Sequence, residues 1–524
     1  MGTYPAGFHI DEASLGYNAY SLLITGKDDN GNSLPLYIDM FGDNRPAGYH
    51  YLTIVPVIIF GLTEFATRFP AALFGSLTVF PFYLFAFSIA RDKKISLLSA
   101  LLIAISPWHI ILSRASAEAV VALFFIILGF SLFFSVLITE KKKYFILAGV
   151  SLVVSYFFYH TPRVFVPMIF LVLSAFLLPA FKHIKRNLLY TGGIFLCISL
   201  VAFCLVFLVK GGTGRFNQVN IFGSFETQFQ LITELREDGV SGSPRYISRF
   251  FHNKITNNAY MFVNNYFEYF SGNFLFTKGG LPIWYIIPRI GLVNIVELPF
   301  ILFGIYYLVR KKEKIYKVPL IWLCVSPIVA SITLDDIPNI NRAIVMIPAL
   351  ELISAVGLLE VIKIVSLRKR NLFLGVLSFA FLFNFLYFLN QYFFNSAAHN
   401  TWYRNNGFSK MMQVVNENYN SYDRIIISKF QGGIYPLVLF YSKFDPKTYQ
   451  AEGSTKNRDY TGFGKFFFVP QDCPSTQRTK FFPNGKKKIF VDRGDCPMEK
   501  SLLYKKVVFI NREDTTKAFR IVYE

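Results

Sequence analysis

The chain has 524 residues, of which 53% are hydrophobic, 18% are aromatic and only 16% are charged. This composition excludes an ordinary soluble domain and indicates a protein embedded in a membrane. The formal net charge is +20, but the basic residues form short clusters between apolar segments, which is typical of membrane loops and argues against nucleic-acid binding.

Apolar segments long enough to cross a bilayer recur along the chain and predict a mainly α protein, a polytopic bundle of transmembrane helices. We predict about ten such helices, near residues 66–90, 95–111, 117–139, 144–160, 164–181, 188–209, 287–309, 317–334, 343–365 and 372–393. The segment 49–63 is shorter and contains a proline, so we expect it to lie at the membrane interface.

Basic clusters fall in every second connection between these segments, at residues 91–94, 141–143, 182–186, 310–317 and 368–370. The positive-inside rule assigns those connections to the cytoplasm. The beginning of the chain, the long loop 210–286 and the tail after residue 393 are therefore predicted to be extracytoplasmic.

The predicted domains are a first extracytoplasmic loop with interfacial helices (1–65), a transmembrane bundle (66–393) and a small soluble α/β domain (394–524). In the last of these, residues 408–419 predict a helix, and residues 423–428, 487–492 and 505–510 predict strands. A chain that starts outside must be delivered there, yet no signal peptide begins at Met1. We therefore expect the complete protein to have a leading transmembrane helix that this chain lacks.

Two cysteines, Cys473 and Cys496, lie in the predicted outer tail. A disulfide between them is plausible in an oxidising compartment, and two unpaired thiols are the alternative. The sequence shows no metal-ligand spacing of Cys or His.

Ionisable residues collect at the predicted outer ends of the helices, where several loops supply acids or a cation: Asp11, Glu12, Arg45, Arg114, Glu118, His160, Arg163 and Arg342. Such groups at membrane helix ends are often functional, and a shared outer cavity is one interpretation. A cation beside a carboxylate at the membrane surface suits a lipid with an anionic head. The alternatives are a solvated acidic pair, an ordinary helical ion pair between Arg114 and Glu118, and an Arg163 that reaches lipid headgroups.

The order of three motifs carries a family resemblance: "DEA" (11–13), "NRPAGYHYL" (44–52) and "ATRFPAALFG" (66–75). It resembles the GT-C superfamily of membrane glycosyltransferases, specifically the family-39-like branch with the protein O-mannosyltransferases and the lipid A aminoarabinose transferase. The segments "SRASAE" (113–118) and "NRAIVMIP" (341–348) are similar to later elements of that branch.

This resemblance implies transfer of a monosaccharide, with inversion, from a polyprenyl-phosphate donor to an acceptor hydroxyl on a protein, glycan or lipid. The reaction would take place on the extracytoplasmic face of the plasma membrane. Asp11 would be the catalytic base, with Glu12 as its neighbour or as the group that orients the acceptor. No cofactor is certain, because the acidic pair could bind a divalent metal ion or none.

The resemblance also suggests which residues bind the donor phosphate. Arg45 and Arg163 would do so, with His160 and Arg342 as further candidates, since a guanidinium group can grip two phosphate oxygens at once. Arg114 and Glu118 would support the site.

Two other classes of protein compete with this interpretation. A transporter or lipid flippase would have ionisable groups near the middle of the bilayer and paired broken helices. A non-enzymatic scaffold or sensor with an outer binding domain would tolerate replacement of Asp11 without consequence.

The predicted topology can be tested by labelling single cysteines placed at Asn30 and at Lys142 with a membrane-impermeant reagent in intact cells. We expect labelling at position 30 and none at position 142, because the basic cluster around Lys142 is predicted to be cytoplasmic. The unsubstituted chain measures the background. Labelling of position 142 from outside would refute the topology.

Overall fold

A computed structural model describes residues 2, 4–40, 42–139, 142–177, 220–222, 225–399, 401–429, 433–453, 462–477 and 486–524. The helix predicted at 188–209 and the basic cluster 182–186 lie outside the described residues. The chain divides into two compact units. Unit 1 comprises Met1–Ala72, Arg114–Ser116 and Leu389–Glu524, and unit 2 comprises Leu73–Ser113 and Ala117–Phe388.

The α-helices of the described residues are, in chain order, α1 (Ile10–Thr25), α2 (Gly48–Phe60), α3 (Glu64–Ala90), α4 (Lys93–Ile105), α5 (Pro107–Ser113), α6 (Glu118–Thr139), α7 (Lys142–Val154), α8 (Pro162–Leu177), α9 (Phe225–Val240), α10 (Arg245–Phe251), α11 (Lys254–Glu268), α12 (Leu298–Arg310), α13 (Val318–Val325), α14 (Ile328–Ser331), α15 (Ile347–Ile364), α16 (Leu367–Asn390), α17 (Ser396–Ala398), α18 (Phe408–Glu417), α19 (Tyr435–Ser442) and α20 (Pro446–Ala451). The strands are β1 (Tyr37–Met40), β2 (Asp43–Pro46), β3 (Arg424–Ser428), β4 (Gly462–Phe463), β5 (Phe466–Val469), β6 (Lys488–Arg493), β7 (Val507–Asn511) and β8 (Lys517–Tyr523).

Unit 1 contains a six-stranded sheet in the order β4-β5-β3-β6-β8-β7. Strand β3 pairs in parallel with β5 and β6, and β8 pairs antiparallel with β6 and β7. The apolar sequence "RIIIS" of β3 is buried from Ile425 onward, as expected for a central parallel strand.

One hydrophobic core joins the beginning of the chain to its tail within unit 1. Phe8 and Tyr17 are buried in the same cluster as Met411, Ile425 and Phe440. Because these residues leave water together, we infer that the first segment folds with the tail as one unit. This arrangement fixes the N-terminal end of α1 among residues of the tail.

Unit 2 is a helical bundle with a continuous apolar core. Helix α15 packs closely on α12, where a Cβ added at Gly357 would lie only 1.9 Å from the carbonyl oxygen of Phe300. The two buried indoles find backbone acceptors, because Nε1 of Trp108 donates to Ile340 at 3.0 Å and Nε1 of Trp322 donates to Val345 at 2.7 Å.

The fold class predicted from the sequence, mainly α with a C-terminal α/β domain, is confirmed. Within the described residues, 5 helices are long and apolar enough to cross a membrane, or up to 6 if α4 and α5, bent by 54°, form one span. Helices α3, α6, α15 and α16 match predicted spans. The number of about ten helices stays a prediction, and so does the three-part domain division, which groups the residues differently from the two units.

One predicted span begins in the wrong place. The segment 287–309 was expected to be helical throughout, but α12 begins only at Leu298. Pro288 and Gly291 interrupt the preceding residues, since proline has no N–H group to donate and glycine disfavours a helix interior.

A short acidic turn of unit 1 buries a carboxyl group. Asp29 is 4% exposed, and its backbone N–H donates to Oδ1 of Asn18 at 2.9 Å. Burial raises the pKa of Asp29 to about 8, with a further contribution from the charges of Asp28 and Asp39. Asp29 therefore binds its proton in the folded state over a pH range in which it would be ionised in the unfolded chain.

The substitution Asp29→Asn should make unit 1 more stable above neutral pH. The folded-state pKa is raised, so the parent loses stability as pH rises from about 4 toward 8, whereas an amide has no proton to lose. We expect the melting temperature of the variant to exceed that of the parent at pH 8–9 and to approach it near pH 4. Asp472→Asn, at an exposed carboxylate, is the control. A variant with the same pH dependence as the parent would contradict the assignment.

Candidate active site

The acidic pair lies in the first turn of α1. His9 is the N-cap, and its Nδ1 accepts from the backbone N–H of Asp11 at 3.2 Å, while the N–H of His9 donates to Oε2 of Glu12 at 3.1 Å. This reciprocal pattern is a capping box. Both carboxylates also lie at the positive end of the helix dipole, which favours their ionised forms.

The carboxylate of Glu12 is buried between two arginines. Oε1 accepts from Nε of Arg68 at 2.8 Å, and Oε2 accepts from Nη2 of Arg68 at 3.0 Å and from Nη2 of Arg404 at 2.7 Å. The N–H of Ser116 donates to Oε1 at 3.2 Å. Burial alone would raise the pKa of Glu12, but the charges of Arg68 and Arg404 outweigh it and hold the pKa well below its usual range.

The backbone approaches this carboxylate closely. Gly7 adopts φ = 77°, and a Cβ there would lie 2.4 Å from the carbonyl oxygen of Arg404, so only glycine fits without displacement. Nη2 of Arg68 also donates to the carbonyl of Gly7 at 2.6 Å. Glu64 extends the cluster, since its Oε2 lies 3.6 Å from Nη1 of Arg68 and its Oε1 accepts from the hydroxyl of Tyr441 at 2.6 Å.

Asp11 occupies a more open position. Its Oδ2 accepts from Nη2 of Arg45 at 2.9 Å, and the side chains of Asp11 and Arg45 are 24% and 23% exposed. Nε of Arg45 also lies 3.3 Å from Asp43. Partial burial would raise the pKa of Asp11, but the charge of Arg45 outweighs it and lowers the pKa. The predicted base and the predicted phosphate ligand therefore form an ion pair with each other.

Arg114 and Glu118 do not lie on one helix. Helix α5 ends at Ser113, residues 114–116 form a turn, and α6 begins only at Glu118. An ion pair along a single helical turn is thus excluded. The guanidinium of Arg114 instead lies 5.7 Å from the ring centre of Tyr392 and 5.2 Å from that of Phe393, which are cation–π distances.

His160 and Arg163 contact each other in unit 2. Nη1 of Arg163 and Nδ1 of His160 are 3.0 Å apart, and Nε and Nη2 of Arg163 donate to the carbonyl of Tyr156 at 3.1 and 3.0 Å. Arg163 is 6% exposed. Its guanidinium therefore binds a backbone carbonyl of the helical turn that precedes α8, instead of reaching toward solvent.

Arg342 is held by the connection before α15. Its Nη1 donates to Oγ1 of Thr333 at 2.8 Å and to the carbonyl of Asp335, and its Nη2 lies 3.3 Å from Oδ2 of Asp335. Like Arg163, it belongs to unit 2. The structure thus brings Asp11, Glu12 and Arg45 together in unit 1 and gives Arg163 and Arg342 local partners in unit 2.

Cys473 and Cys496 are joined by a disulfide in unit 1. A buried ion pair lies in the same region, where Nε of Arg520 donates to Oδ2 of Asp492 at 2.8 Å. Nη1 of Arg520 also donates to the carbonyl of Cys496 at 3.0 Å. The disulfide and this buried ion pair are therefore linked through Arg520.

Most carboxylate oxygens of the acidic pair of α1 already have cationic partners. Both oxygens of Glu12 accept from guanidinium groups, and Oδ2 of Asp11 accepts from Arg45, so fixed cations already occupy the approach to these carboxylates. In the described part of the chain, no group of three or more His, Cys, Asp or Glu side chains could hold a metal ion.

Two residues that complete the cluster were not predicted as site residues. Arg68 lies within the motif "ATRFPAALFG", and that motif could have indicated it. Arg404 lies in the short turn Thr401–Arg404 of the tail, where the surrounding sequence "WYRNN" carries no recognisable pattern. Only its contact with Glu12 identifies it.

The comparisons with known proteins agree with this architecture. Residues 44–207 match the family described as dolichyl-phosphate-mannose-protein mannosyltransferase. No curated protein matches the chain significantly. The family match covers Arg45, Arg68, Arg114 and Arg163, which are four of the cations described above.

Two solved structures of the bacterial protein ArnT have a similar fold. ArnT from Cupriavidus metallidurans in the apo state superposes with a TM-score of 0.54 at 12% identity, covering 98% of this chain and 93% of that chain. The same enzyme bound to undecaprenyl phosphate gives a TM-score of 0.55 at 11% identity with the same coverage. The resemblance to GT-C membrane glycosyltransferases is therefore confirmed, and the chain has their fold.

Glu12→Gln should destabilise unit 1 strongly. It removes the negative charge between two buried arginines, and breaking a buried ion pair typically costs about 3–5 kcal/mol. The loss should be visible as a lower melting temperature of the protein in detergent. Because the pKa of Glu12 is lowered by folding, the parent should lose this advantage as pH falls below about 4, and the two proteins should then converge.

Asp472→Asn is the matched acid-to-amide control for that experiment. Asp472 pairs with Arg493 at 3.3 Å, and both side chains are nearly half exposed, so its replacement should change stability by only about 0–1 kcal/mol. Equal effects of the two substitutions would show that the Glu12 cluster does not hold the unit together.

Proposed function

We propose that the chain is an integral membrane glycosyltransferase that moves a monosaccharide, with inversion, from a polyprenyl-phosphate donor to an acceptor hydroxyl. The acceptor belongs to a protein, a glycan or a lipid, and the reaction takes place at the extracytoplasmic face of the plasma membrane. The active site and the C-terminal α/β domain face that side. The family match to mannosyltransferases, and the likeness to ArnT, whose structure was solved with undecaprenyl phosphate, support a lipid-linked donor.

The observation that carries this proposal is the partly exposed ion pair of Asp11 and Arg45 beside the buried Glu12 cluster. Both groups that the reaction needs, a base and an anion-binding cation, lie 2.9 Å apart at a position that solvent reaches. Glu12 has its oxygens bonded to Arg68, Arg404 and Ser116. We therefore assign the chemistry to Asp11 and a supporting role to Glu12.

In the proposed step, the acceptor hydroxyl gives its proton to Oδ1 or Oδ2 of Asp11 while the acceptor oxygen bonds to the anomeric carbon. The bond from that carbon to the phosphate oxygen breaks on the opposite face, and its electron pair stays on the lipid phosphate, which leaves. Charge grows on the phosphate as the bond breaks, so a fixed guanidinium stabilises the transition state more than the bound donor.

The ion pair also suggests how donor binding prepares the base. Arg45 lowers the pKa of Asp11 while the two are paired, which makes Asp11 a weak base at rest. A phosphate that binds Arg45 competes for the same guanidinium, so the pKa of Asp11 should rise when the donor is present. General-base catalysis improves as the pKa of the base approaches the working pH.

Arg114 is the second cation that we propose for the donor phosphate. The turn that carries it is fixed beside Glu12 through the N–H of Ser116, and its guanidinium lies against the aromatic rings of Tyr392 and Phe393. In the described residues it forms no ion pair with a carboxylate, so a phosphate could approach it without breaking one.

Arg163, His160 and Arg342 remain proposed donor ligands of lower rank. A phosphate bound by Arg163 would have to replace its hydrogen bonds to Tyr156, and one bound by Arg342 would compete with Asp335. We place Arg45 first because it lies beside the proposed base, and Arg114 second because it forms no ion pair with a carboxylate in the described residues.

A transporter or flippase is the second candidate function. The observation that favours it is a pair of buried carboxyl groups in the helical bundle of unit 2, Glu297 and Glu351, which are 0% and 1% exposed. Movement of labelled lipid across vesicles in the absence of an acceptor would support this class, whereas sugar transfer without such movement would support the transferase.

Asp11→Asn and Arg45→Ala should impair the reaction in different ways. The amide keeps its size but cannot accept the proton, so we expect nearly normal donor binding and a transfer rate lower by 10²–10⁴-fold. Arg45→Ala removes a charge-assisted contact worth about 1.5–3 kcal/mol, so both donor affinity and transfer should fall. Binding of undecaprenyl phosphate and single-turnover transfer from a panel of polyprenyl-phosphate sugars measure the two effects separately.

The exposed pair of Asp472 and Arg493 supplies matched controls, because Asp472→Asn and Arg493→Ala make the same chemical changes at the surface of unit 1. Both should transfer sugar at the parent rate. If Asp11→Asn also transferred at the parent rate, Asp11 would not be the base and the proposed active site would be wrong.

A further inference from the structure

Unit 2 buries two carboxyl groups side by side. Glu297, at the start of α12, is 0% exposed, and Glu351, on α15, is 1% exposed. The two groups interact directly with each other. Within the part of the chain that the structure describes, neither has a basic partner.

Other oxygen atoms surround this acidic pair. Ser354 and Asn294 face Glu297, and Ser106, which ends α4, faces Glu351. Nδ2 of Asn294 donates to Oε1 of Glu297 at 2.9 Å, which orients the amide. Six buried oxygens of this cluster have no hydrogen-bond partner: Oγ of Ser106 and Ser354, Oδ1 of Asn294, Oε2 of Glu297, and Oε1 and Oε2 of Glu351.

Two carboxylates cannot both remain charged in an apolar interior unless something neutralises them. A single shared proton would join one oxygen of Glu297 to one oxygen of Glu351. That arrangement would still leave one negative charge in the apolar interior. A bound cation would neutralise the carboxylates and could contact the remaining oxygens as well.

We propose that Glu297, Glu351, Ser106, Ser354 and Asn294 form a binding site for one hard divalent cation. A set of ligands made only of oxygen is what Ca²⁺ and Mg²⁺ prefer. Both oxygens of Glu351 are available, and bidentate carboxylates with six to eight oxygen ligands are typical of Ca²⁺, whereas Mg²⁺ prefers six in a strict octahedron. The site therefore favours Ca²⁺.

A cavity borders this site at Asn294. It has a volume of about 720 Å³, and Pro107 and Asn294 lie on its wall. Lys278 and Arg289 line the same cavity and repel an entering cation, so the ion should exchange slowly. The site would tie α4, α12 and α15 together and is separate from the sugar-transfer chemistry of unit 1.

The test is the metal content and the melting temperature of the full chain purified in detergent. Elemental analysis should find about one Ca²⁺ per chain after loading with CaCl₂ and removal of free ion, and long incubation with EDTA should lower the melting temperature. MgCl₂ in place of CaCl₂ measures the preference between the two ions. Glu351→Gln should weaken Ca²⁺ binding by more than about 100-fold, since changes outside the ligand set alone cost 10–100-fold.

Glu360→Gln is the matched control, because Glu360 lies on the same helix and pairs with Lys363 at 2.6 Å. It should bind Ca²⁺ as the parent does. Ser354→Ala removes one oxygen but keeps both carboxylates, and it should weaken binding even if Glu351→Gln fails to fold.

The proposal would be overturned if the parent chain bound neither Ca²⁺ nor Mg²⁺ and its melting temperature did not change with either ion or with EDTA. That result would indicate a shared proton. If CaCl₂ raised the melting temperature of Glu351→Gln as much as that of the parent, the ion would bind elsewhere. That result would also overturn the proposal. Neither measurement uses sugar transfer, so failure here is distinct from failure of the proposed function.

Discussion

The carboxylate of Glu12, buried and neutralised by Arg68 and Arg404, is the interaction on which unit 1 depends. It joins the first turn of α1, the second turn of α3 and a turn of the tail, which are distant in sequence. Removing any one partner leaves a charge in an environment that cannot solvate it. The cluster therefore requires the first segment and the tail to fold together, and it fixes the position and direction of α1.

That constraint gives the two adjacent acids, Asp11 and Glu12, different environments. Neighbouring residues of a helix point about 100° apart, so Glu12 faces the arginines while Asp11 faces the partly exposed Arg45. The oxygens of Glu12 are bonded to Arg68, Arg404 and Ser116, whereas Asp11 pairs with the partly exposed Arg45. Two carboxylates with different environments can thus take different roles, which is why we propose Asp11 and not Glu12 as the base.

The surroundings of Glu12 differ from those of the pair Glu297 and Glu351. In unit 1, guanidinium groups neutralise Glu12 and already bind both of its oxygen atoms. In unit 2, Glu297 and Glu351 have no basic neighbour in the described residues, and hydroxyl and amide oxygens surround them instead. Because an apolar bundle cannot hold two bare charges, this difference in partners is the physical basis for assigning a cation to the second site and not to the first.

The sequence alone determined what depends on neighbouring residues: the apolar spans that became α3, α6, α15 and α16, the tail elements β3, β6, β7 and α18, and the motifs of the GT-C resemblance. The short strands β4 and β5, the C-terminal strand β8 and the late start of α12 were missed, because pairing and packing outweigh local pattern there. Only the tertiary structure decided the partners of Glu12, since Arg68 and Arg404 are 56 and 392 residues away. Local periodicity carries no information about contacts at that separation, because they arise only when the first segment and the tail share one core.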